Sequence, residues 1–315
     1  MSASRLLPGG LAPTDASAKI PPVRAAVLDI GSNTARLLVA EVRKGRIIPV
    51  REESYYLGLG AEILHHGSVG AEKLGEAAEV VRTFSKLARK SQADEIDVIV
   101  TAPGRQAANP DELLATVARA SGTVARILSA REEGELAYEG ALTREDAGGR
   151  RVAVCDVGGG STEIVVGDGG GPSFWSTSVD LGSLRLTAAC LEDDPPSARA
   201  IAKAERLTSD LFSKVDAPSA ELALAVGGSA RALAKLVGPT LGEQELTYAL
   251  GLSSAKRSAK VARAFGVDEQ RARVLPAGAI VLREVTRRLG RPLRLARGGL
   301  REAAVSRMLA ETLAA

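Results

Sequence analysis

One unit, an apolar strand followed by an acidic residue and a glycine-rich turn, occurs twice in this chain. Residues 27–40 read VLDIGSNTARLLVA, and residues 154–167 read VCDVGGGSTEIVVG. Each copy places an aspartate, Asp29 or Asp156, beside a turn that leads into a second apolar strand. A single turn of this kind is usually an ordinary hairpin. Two copies in matched register predict a duplicated strand–turn–strand unit with a shared purpose.

The composition of the turns is typical of phosphate binding. Glycine lets the backbone approach closely, so that N–H groups converge on an anion, and the polar side chains add donors. An aspartate beside the turn repels a phosphate, but it can hold a divalent cation that bridges to the phosphate through the hard oxygen ligands that Mg²⁺ prefers. The predicted phosphate-binding residues of the two turns are Gly31, Ser32, Asn33, Thr34, Gly158, Gly159, Gly160 and Ser161.

A third glycine turn comes after the apolar run 222–226. Gly227, Gly228 and Ser229 lead directly into a predicted helix. Free N–H groups and the dipole of a helix N-terminus favour an anion. This turn is not a Walker A loop, because no Gly-Lys-Ser/Thr follows a glycine at the required spacing. It is predicted to be a further phosphate-binding element.

Strands alternate with amphipathic helices along the rest of the chain. The pattern predicts an α/β fold with largely covered sheets, whereas the glycine-rich stretch 55–70 is predicted to be a loop. Each half of the chain begins with one copy of the repeated unit. Two similar halves are therefore expected to lie side by side, with a cleft between them that a substrate bridges.

Composition excludes several classes of protein. The net charge of the 315 residues is +3 and aromatic residues make up 3%, so the chain is not predicted to bind nucleic acid. It has no run of about 18 apolar residues that could span a membrane. Residues 1–22 lack the apolar run of a signal peptide and are predicted to be a disordered leader, which makes the cytoplasm the expected location. Two cysteines and two histidines provide no Cys/His metal cluster.

Carboxylates at the junction between the halves are candidates for activating a water. Glu132, Glu133 and Glu135 lie at the start of a predicted helix, where the helix dipole alone favours acids. One of them is expected to face the cleft, and spacing does not decide which. Glu163, just beyond the second turn, is either a metal ligand or a solvent-facing strand residue.

Seven motifs follow one another along the chain: DIGSNTARLLV, TAPGRQAAN, LSAREEGELAY, DVGGGSTEIVVG, GSLRLT, AVGGSARALA and GGLREAAV. Together they resemble the exopolyphosphatase / guanosine pentaphosphate phosphohydrolase (Ppx/GppA) family, from about Val23 to the C-terminus and in the family's order. The resemblance implies an actin-like (ribonuclease-H-like) fold whose last helix crosses back to the first domain. The implied division is a first domain of residues 23–130 plus about 300–315, and a second of residues 131–299.

The resemblance also implies roles for single residues. Glu133 matches the family's catalytic glutamate, and Arg105 matches an arginine that faces the cleft, where a guanidinium suits phosphate. Asp156 and Glu163 match the acids on the metal side, with Asp29 as an additional ligand. The implied cofactor is Mg²⁺, with Mn²⁺ as an alternative, and family members are often homodimers.

Two departures from the family pattern bear on the substrate. The chain resembles the short two-domain form, which favours shorter polyphosphate chains, and Tyr56 stands where relatives often carry an arginine. The expected activity is metal-dependent release of orthophosphate from the end of inorganic polyphosphate. The alternatives are hydrolysis of guanosine pentaphosphate (pppGpp), a nucleotide-binding sensor without turnover, and a sugar or acetate kinase. Inhibition by (p)ppGpp in the same cleft is left open.

Overall fold

The computed structural model describes residues 23–43 and 46–314. The predicted leader, residues 1–22, lies outside the described residues. Two β-sheets dominate the structure, each formed by one half of the chain. Within the described residues, no helix combines the length and the apolar composition needed to cross a membrane.

The first sheet has the strand order β3-β2-β1-β4-β5. Strands β1, β2 and β3 are antiparallel neighbours, while β4 and β5 run parallel to β1. The strands are β1 (Arg24–Ile30), β2 (Thr34–Arg43), β3 (Arg46–Tyr56), β4 (Glu95–Val100) and β5 (Ala125–Ile127). The helices between them are α1 (Leu59–His66), α2 (Ala71–Lys90), α3 (Ala102–Gln106) and α4 (Pro110–Ser121).

The second sheet repeats this order as β8-β7-β6-β9-β11, with β10 added at the far edge. Its strands are β6 (Arg151–Val157), β7 (Thr162–Asp168), β8 (Ser173–Val179), β9 (Leu222–Val226), β10 (Thr240–Leu241) and β11 (Leu293–Leu295). Its helices are α5 (Ala130–Leu142), α6 (Ser183–Cys190), α7 (Ala198–Phe212), α8 (Gly227–Val237), α9 (Glu243–Ser254), α10 (Ser258–Phe265), α11 (Glu269–Arg273) and α12 (Leu275–Leu289), followed by α13 (Leu300–Ala314). The duplicated order confirms the predicted α/β, actin-like fold.

Helices cover both faces of the first sheet, which explains why β1 is buried along most of its length. On one face its side chains pack with those of α2 and α4. On the other face they pack with α13 and with Leu136 of α5. Helix α5 also packs on β6, β7 and β8 of the second sheet. We propose to assign residues 23–130 and 300–315 to the first domain, because α13 returns to its sheet, and residues 131–299 to the second.

The stretch 55–70 is not the loop that its glycines predict. Strand β3 continues to Tyr56, and helix α1 begins after Gly58, which adopts a left-handed conformation with φ of 70°. Leu59 and Ile63 of α1 are buried in the first core. The glycine therefore marks the start of a helix, and tertiary burial outweighs the local propensity of the next residues.

Helix α5 and the turn before α13 touch through their backbones. A Cβ atom added to Gly140 would overlap the carbonyl group of Gly299, and one added to Gly298 would overlap the carbonyl oxygen of Gly140. Only glycine permits so close an approach. At these positions the helix that joins the halves lies directly against the turn that leads into the returning helix.

Candidate active site

The two repeated turns have the same internal geometry. Gly31 N donates to Thr34 O at 3.1 Å, and Gly158 N donates to Ser161 O at 3.0 Å. In each hairpin the aspartate is paired across the strands with a charged residue, Asp29 with Arg36 and Asp156 with Glu163. The two copies therefore have equivalent positions in their sheets. They differ in the residue that faces the aspartate across the strands, which is basic in the first copy and acidic in the second.

The two turns meet face to face. A Cβ atom on Gly160 would lie 2.6 Å from Ser32 Oγ, and one on Gly159 would lie 3.1 Å from Ser32 Cβ. Gln106 Nε2 donates to Gly160 O at 3.3 Å and also to Asp180. The glycines of the second turn thus make room for the first turn. Ser32 Oγ and Asn33 Oδ1 are buried, and the described residues provide neither with a hydrogen-bond partner.

The third glycine turn, residues 227–229, lies against the second hairpin at Asp156. Gly227 has a φ of 85°, and a Cβ atom there would overlap the Asp156 carboxylate. Gly227 and Gly228 line the same cavity as the two hairpin turns. Ser229 faces away from it, because its Oγ donates to Ser183 Oγ at 3.3 Å in the protein interior. The three predicted turns therefore meet at one cavity, and Ser229 packs behind the third turn instead of lining it.

A cavity of about 90 Å³, here called the central cavity, lies between these turns. Asp29, Asp156 and Glu133 contribute carboxylates to its wall. Burial raises the pKa of Asp29 and of Asp156, and for Asp29 the neighbouring Asp156 and Glu302 act in the same direction. Acidic groups therefore share one end of the cavity.

The geometry distinguishes the three glutamates at the start of α5. Glu132 forms a capping box with Ser129: its Oε2 accepts from Ser129 N at 2.8 Å, and its own N–H donates to Ser129 Oγ at 3.1 Å. Glu135 pairs with Arg131 at 2.8 Å on the surface. Glu133 alone of the three lines the central cavity, and it is 8% exposed. The spacing Ser-x-x-Glu was a readable signal that Glu132 caps the helix.

Arg105 holds Glu133. Its Nη1 donates to Glu133 Oε2 at 2.7 Å and to Leu128 O at 2.9 Å, and its Nη2 lies 3.4 Å from Ser161 Oγ and 3.5 Å from Glu163 Oε1. Burial, reinforced by Glu163, raises the pKa of Glu133 well above its usual range, and Arg105 opposes the shift. Arg105 is not one of the residues that line the central cavity. It lies directly behind Glu133.

Glu163 is 1% exposed and therefore does not face solvent. Its Oε1 accepts from Ser178 Oγ at 3.0 Å, while its Oε2 is buried without a hydrogen-bond partner among the described residues. Burial, followed by the charge of Asp156, raises the pKa of Glu163 to about 7. An unpartnered buried oxygen next to Asp156 is the kind of atom that a cation, a water or a proton satisfies.

Four arginines to which the sequence motifs assigned no role converge on the central cavity. They are Arg36, Arg231, Arg271 and Arg301. Burial, with the nearby Arg301, lowers the pKa of Arg36 to about 10, and burial also lowers the pKa of Arg271. Among residues 23–43 and 46–314, none of the four has an acidic partner within 4 Å. The acids of the same cavity act on these arginines at longer range, since Arg36 and Arg301 oppose the raised pKa of Asp29. Guanidinium groups that are close together and not held in ion pairs are typical of a site that receives an anion.

A second chamber of about 470 Å³ adjoins the central cavity. Asn33, Thr34, Arg36, Gly228, Arg231 and Arg271 line both. Beyond the shared wall, the second chamber is lined by Tyr56, Lys235, Val267 and Asp268, among others. The two spaces therefore lie side by side, with the acids in the wall of the first and three of the arginines, Arg36, Arg231 and Arg271, in the wall that they share.

The acids fit a magnesium site that is completed by water and substrate. In the described part of the chain, no group of three or more His, Cys, Asp or Glu side chains forms a closed metal cage. Mg²⁺ usually binds one or two carboxylates and keeps several waters or phosphate oxygens. Asp156 and Asp29 provide such a pair at the cavity wall, and the unpartnered Oε2 of Glu163 lies beside Asp156.

Comparison with known proteins gives one consistent result. The sequence model of the Ppx/GppA phosphatase family matches residues 38–312. Exopolyphosphatase 2 of Mycobacterium tuberculosis is 31% identical over 196 residues, covering 59% of this chain and 61% of the relative. Exopolyphosphatase 1 of Mycobacterium bovis is 29% identical over 279 residues, covering 82% of this chain and 80% of the relative. The crystal structure of the Aquifex aeolicus Ppx/GppA family member has a TM-score of 0.76 at 26% identity, covering 92% of this chain and 99% of that one.

Proposed function

Because the chain belongs to the Ppx/GppA phosphatase family, we propose that it hydrolyses the terminal phosphoanhydride of inorganic polyphosphate and releases orthophosphate. One observation carries the proposal: four arginines without acidic partners line the central cavity beside a single buried glutamate. The oxygens of a polyanion would give these guanidinium groups the direct partners that they lack. The alignment with exopolyphosphatase 2 spans about 61% of that relative's length, and the similarity to exopolyphosphatase 1 supports the same activity.

The glycine turns and the arginines would bind and orient the phosphates. Backbone N–H groups of the turns, Ser32 Oγ and the guanidinium groups form hydrogen bonds to phosphate oxygens that strengthen when one partner is charged. The shared wall of the two spaces lets successive phosphates lie along one line. Positioning and charge stabilisation provide most of the acceleration in phosphoryl transfer.

Glu133 would activate the attacking water. Arg105 engages its Oε2, and within the described residues no protein group donates to its Oε1. We therefore assign Oε1 to the water: it accepts a proton as the water oxygen attacks the terminal phosphorus. The bond between that phosphorus and the bridging oxygen breaks, and the shortened chain leaves with the bridging oxygen. A general base in this position typically increases the rate by about 10²–10⁴-fold.

Asp156 and Asp29 would hold the divalent cation at the cavity wall. Glu163, the third predicted ligand, does not line the central cavity, so we assign it a supporting position beside Asp156. Mg²⁺, or Mn²⁺ in its place, would neutralise charge on the terminal phosphate when bound. The preference for shorter chains and the homodimer remain predictions from the resemblance.

Hydrolysis of pppGpp is the second candidate, and one observation favours it. The side chain of Tyr56, where an arginine was expected, lines the second chamber. An aromatic ring is a surface on which a purine stacks, with a typical contribution of about 1–3 kcal/mol. If pppGpp binds in this way, (p)ppGpp would compete for the same chamber.

The test is phosphate release in Mg²⁺ from tripolyphosphate, long-chain polyphosphate and pppGpp. Wild type is compared with Glu133→Gln and with Glu135→Gln, a control that removes an acid from the same helix but from its surface. The proposal is supported if wild type and Glu135→Gln release phosphate from polyphosphate and Glu133→Gln does not. A clear preference for pppGpp would replace it with the second candidate. No release from any substrate, together with tight nucleotide binding, would favour a sensor.

A further inference from the structure

The second chamber ends against the C-terminus of helix α10. Val267 and Asp268, which come just after this helix, form part of the chamber wall. Lys235, also in the wall, donates from Nζ to the carbonyl oxygen of Gly266 at 2.8 Å. Gly266 is the left-handed C-cap of α10, with φ of 61°. The C-terminal end of the helix therefore lies at the opening of the chamber, and the Lys235 ammonium group neutralises the negative end of its dipole.

Helix α10 has one apolar face and one basic face. Ser258, Val261 and Ala262 are buried against the second core. On the other side, the helix and the two residues before it present four exposed cationic side chains, called here the α10 basic face: Lys256, Arg257, Lys260 and Arg263. Because residues three and four apart lie on one side of a helix, these charges form a row that starts one turn from the chamber.

The α10 basic face has no counter-charges in the part of the chain that the structure describes. Among the described residues, the ion pairs within 4 Å include none of its four residues, whereas Arg283 of α12, for example, pairs with Glu205 of α7. Asp194 packs against the start of α10, but its carboxylate accepts from Ser258 N at 2.9 Å and from Ser258 Oγ at 2.6 Å. Arg263 Nε has only a contact of 3.5 Å with Ala259 O. The row is thus available to an external anion.

We propose that the α10 basic face binds the distal part of a linear polyphosphate whose terminal phosphate lies in the central cavity. This inference rests on the proposed function and adds a binding surface outside the site. Arg231, Arg271 and Lys235 line the second chamber, together with one acid, Asp268. Lys235 is hydrogen-bonded to the C-cap of α10, and Arg263 lies in the last turn of that helix. Affinity is expected to rise with chain length until the chain covers α10 and to level off for longer chains.

Two properties of a polyanion distinguish this binding from ordinary surface charge. Each phosphate that a protein cation neutralises releases a condensed counterion, so the affinity for a long chain falls steeply as the salt concentration rises. For single-stranded nucleic acid, each such contact lowers the slope of log affinity against log salt concentration by about 0.7, and we expect a similar value here. We expect tripolyphosphate, with only three phosphates, to stay within the central cavity and the second chamber and to have no share in these contacts. The two substrates should therefore respond differently to the same substitution.

The experiment compares kcat/KM for tripolyphosphate and for long-chain polyphosphate at several salt concentrations. The test variant is Lys256→Gln, Lys260→Gln and Arg263→Gln combined. The control, Arg82→Gln, Lys86→Gln and Lys90→Gln combined, removes the same charge from exposed positions of α2 on the other sheet. Neither set touches the cavity.

We expect the test variant to lose about tenfold in kcat/KM for long chains, since three exposed charge contacts each contribute a factor of a few. Its salt slope should also become shallower, while tripolyphosphate hydrolysis stays unchanged. Equal losses in the test and control variants, or no loss in either, would overturn the inference while leaving the proposed function intact. Wild-type protein that cleaves neither polymer would overturn the proposed function, and this inference with it.

Discussion

Arg105 Nη1 lies 2.7 Å from Glu133 Oε2, although the two residues belong to different halves of the molecule. Arg105 lies on α3, beside the first sheet, and Glu133 on α5, which packs on the second. The same guanidinium group approaches Ser161 and Glu163. The orientation of the proposed base thus depends on how the two halves meet.

Removal of the proposed base should abolish turnover and leave binding in place. Glu133→Gln keeps the size of the side chain and loses the proton acceptor, so kcat should fall by about 10²–10⁴-fold with little change in KM. Steady-state kinetics on tripolyphosphate measure both, with Glu135→Gln as the control. An unchanged kcat would remove Glu133 from the mechanism.

Activity should depend on pH through Glu133. Its pKa is raised, chiefly by burial, and the base acts in its deprotonated form, so kcat should be lost as the pH falls through that raised pKa. Arg105 lowers this pKa. Arg105→Ala should therefore move the acidic limb upward by about 1 to 3 pH units, and Arg105→Lys should restore part of the difference. If the acidic limb of the pH profile lay at the same pH in wild type, Arg105→Ala and Arg105→Lys, the role given to Arg105 would be contradicted.

The arginines of the central cavity should strengthen ligand binding and lower the stability of the ligand-free protein. Burial and the adjacent Arg231 lower the pKa of Arg271, which means that its charged form is disfavoured in the folded protein. Arg271→Gln should raise the KM for polyphosphate about tenfold or more, yet raise the Tm of the ligand-free protein. Thermal unfolding with and without tripolyphosphate tests both parts. A lower Tm combined with an unchanged KM would show that Arg271 is structural.

Two helix glycines should respond to alanine in opposite ways. Gly75 in α2 has open space around the position of a Cβ atom, so Gly75→Ala should stabilise the protein by about 0.5–1 kcal/mol. In α5, Gly140→Ala would force the helix away from Gly299 and should cost about 1–3 kcal/mol. Urea unfolding of the two variants measures the difference. Similar values for both would mean that the contact at Gly140 relaxes easily.

Much of the architecture could be predicted because it is encoded in local, repeated patterns. The paired hairpins predict the duplicated sheets, since an acid and a glycine turn at a strand end are contiguous in sequence. The choice of Glu133 came from the resemblance, and the capping box that Glu132 forms with Ser129 gives it a physical reason. The role of each site residue in catalysis remains a prediction.

The arginine group could not be predicted, because its members are far apart in the chain. Arg36 is on a strand, while Arg231, Arg271 and Arg301 are on three different helices. Arg36, Arg231 and Arg301 lie within the quoted motifs and Arg271 does not, but nothing in those local patterns shows that the four side chains share one cavity, which only the tertiary fold brings about. Helix α1 was mispredicted for a related reason: the burial of Leu59 and Ile63 is decided by distant residues and outweighs the local glycines.

The backbone contact between Gly140 and Gly299 leaves no side chain to adjust the spacing at this point. Where side chains separate two elements, their rotamers absorb small changes in the surroundings, and the spacing drifts with the sequence. Here the peptide groups themselves touch, so van der Waals radii set how closely helix α5 can approach the turn before α13. A larger residue at either glycine would therefore act as a spacer between these two elements.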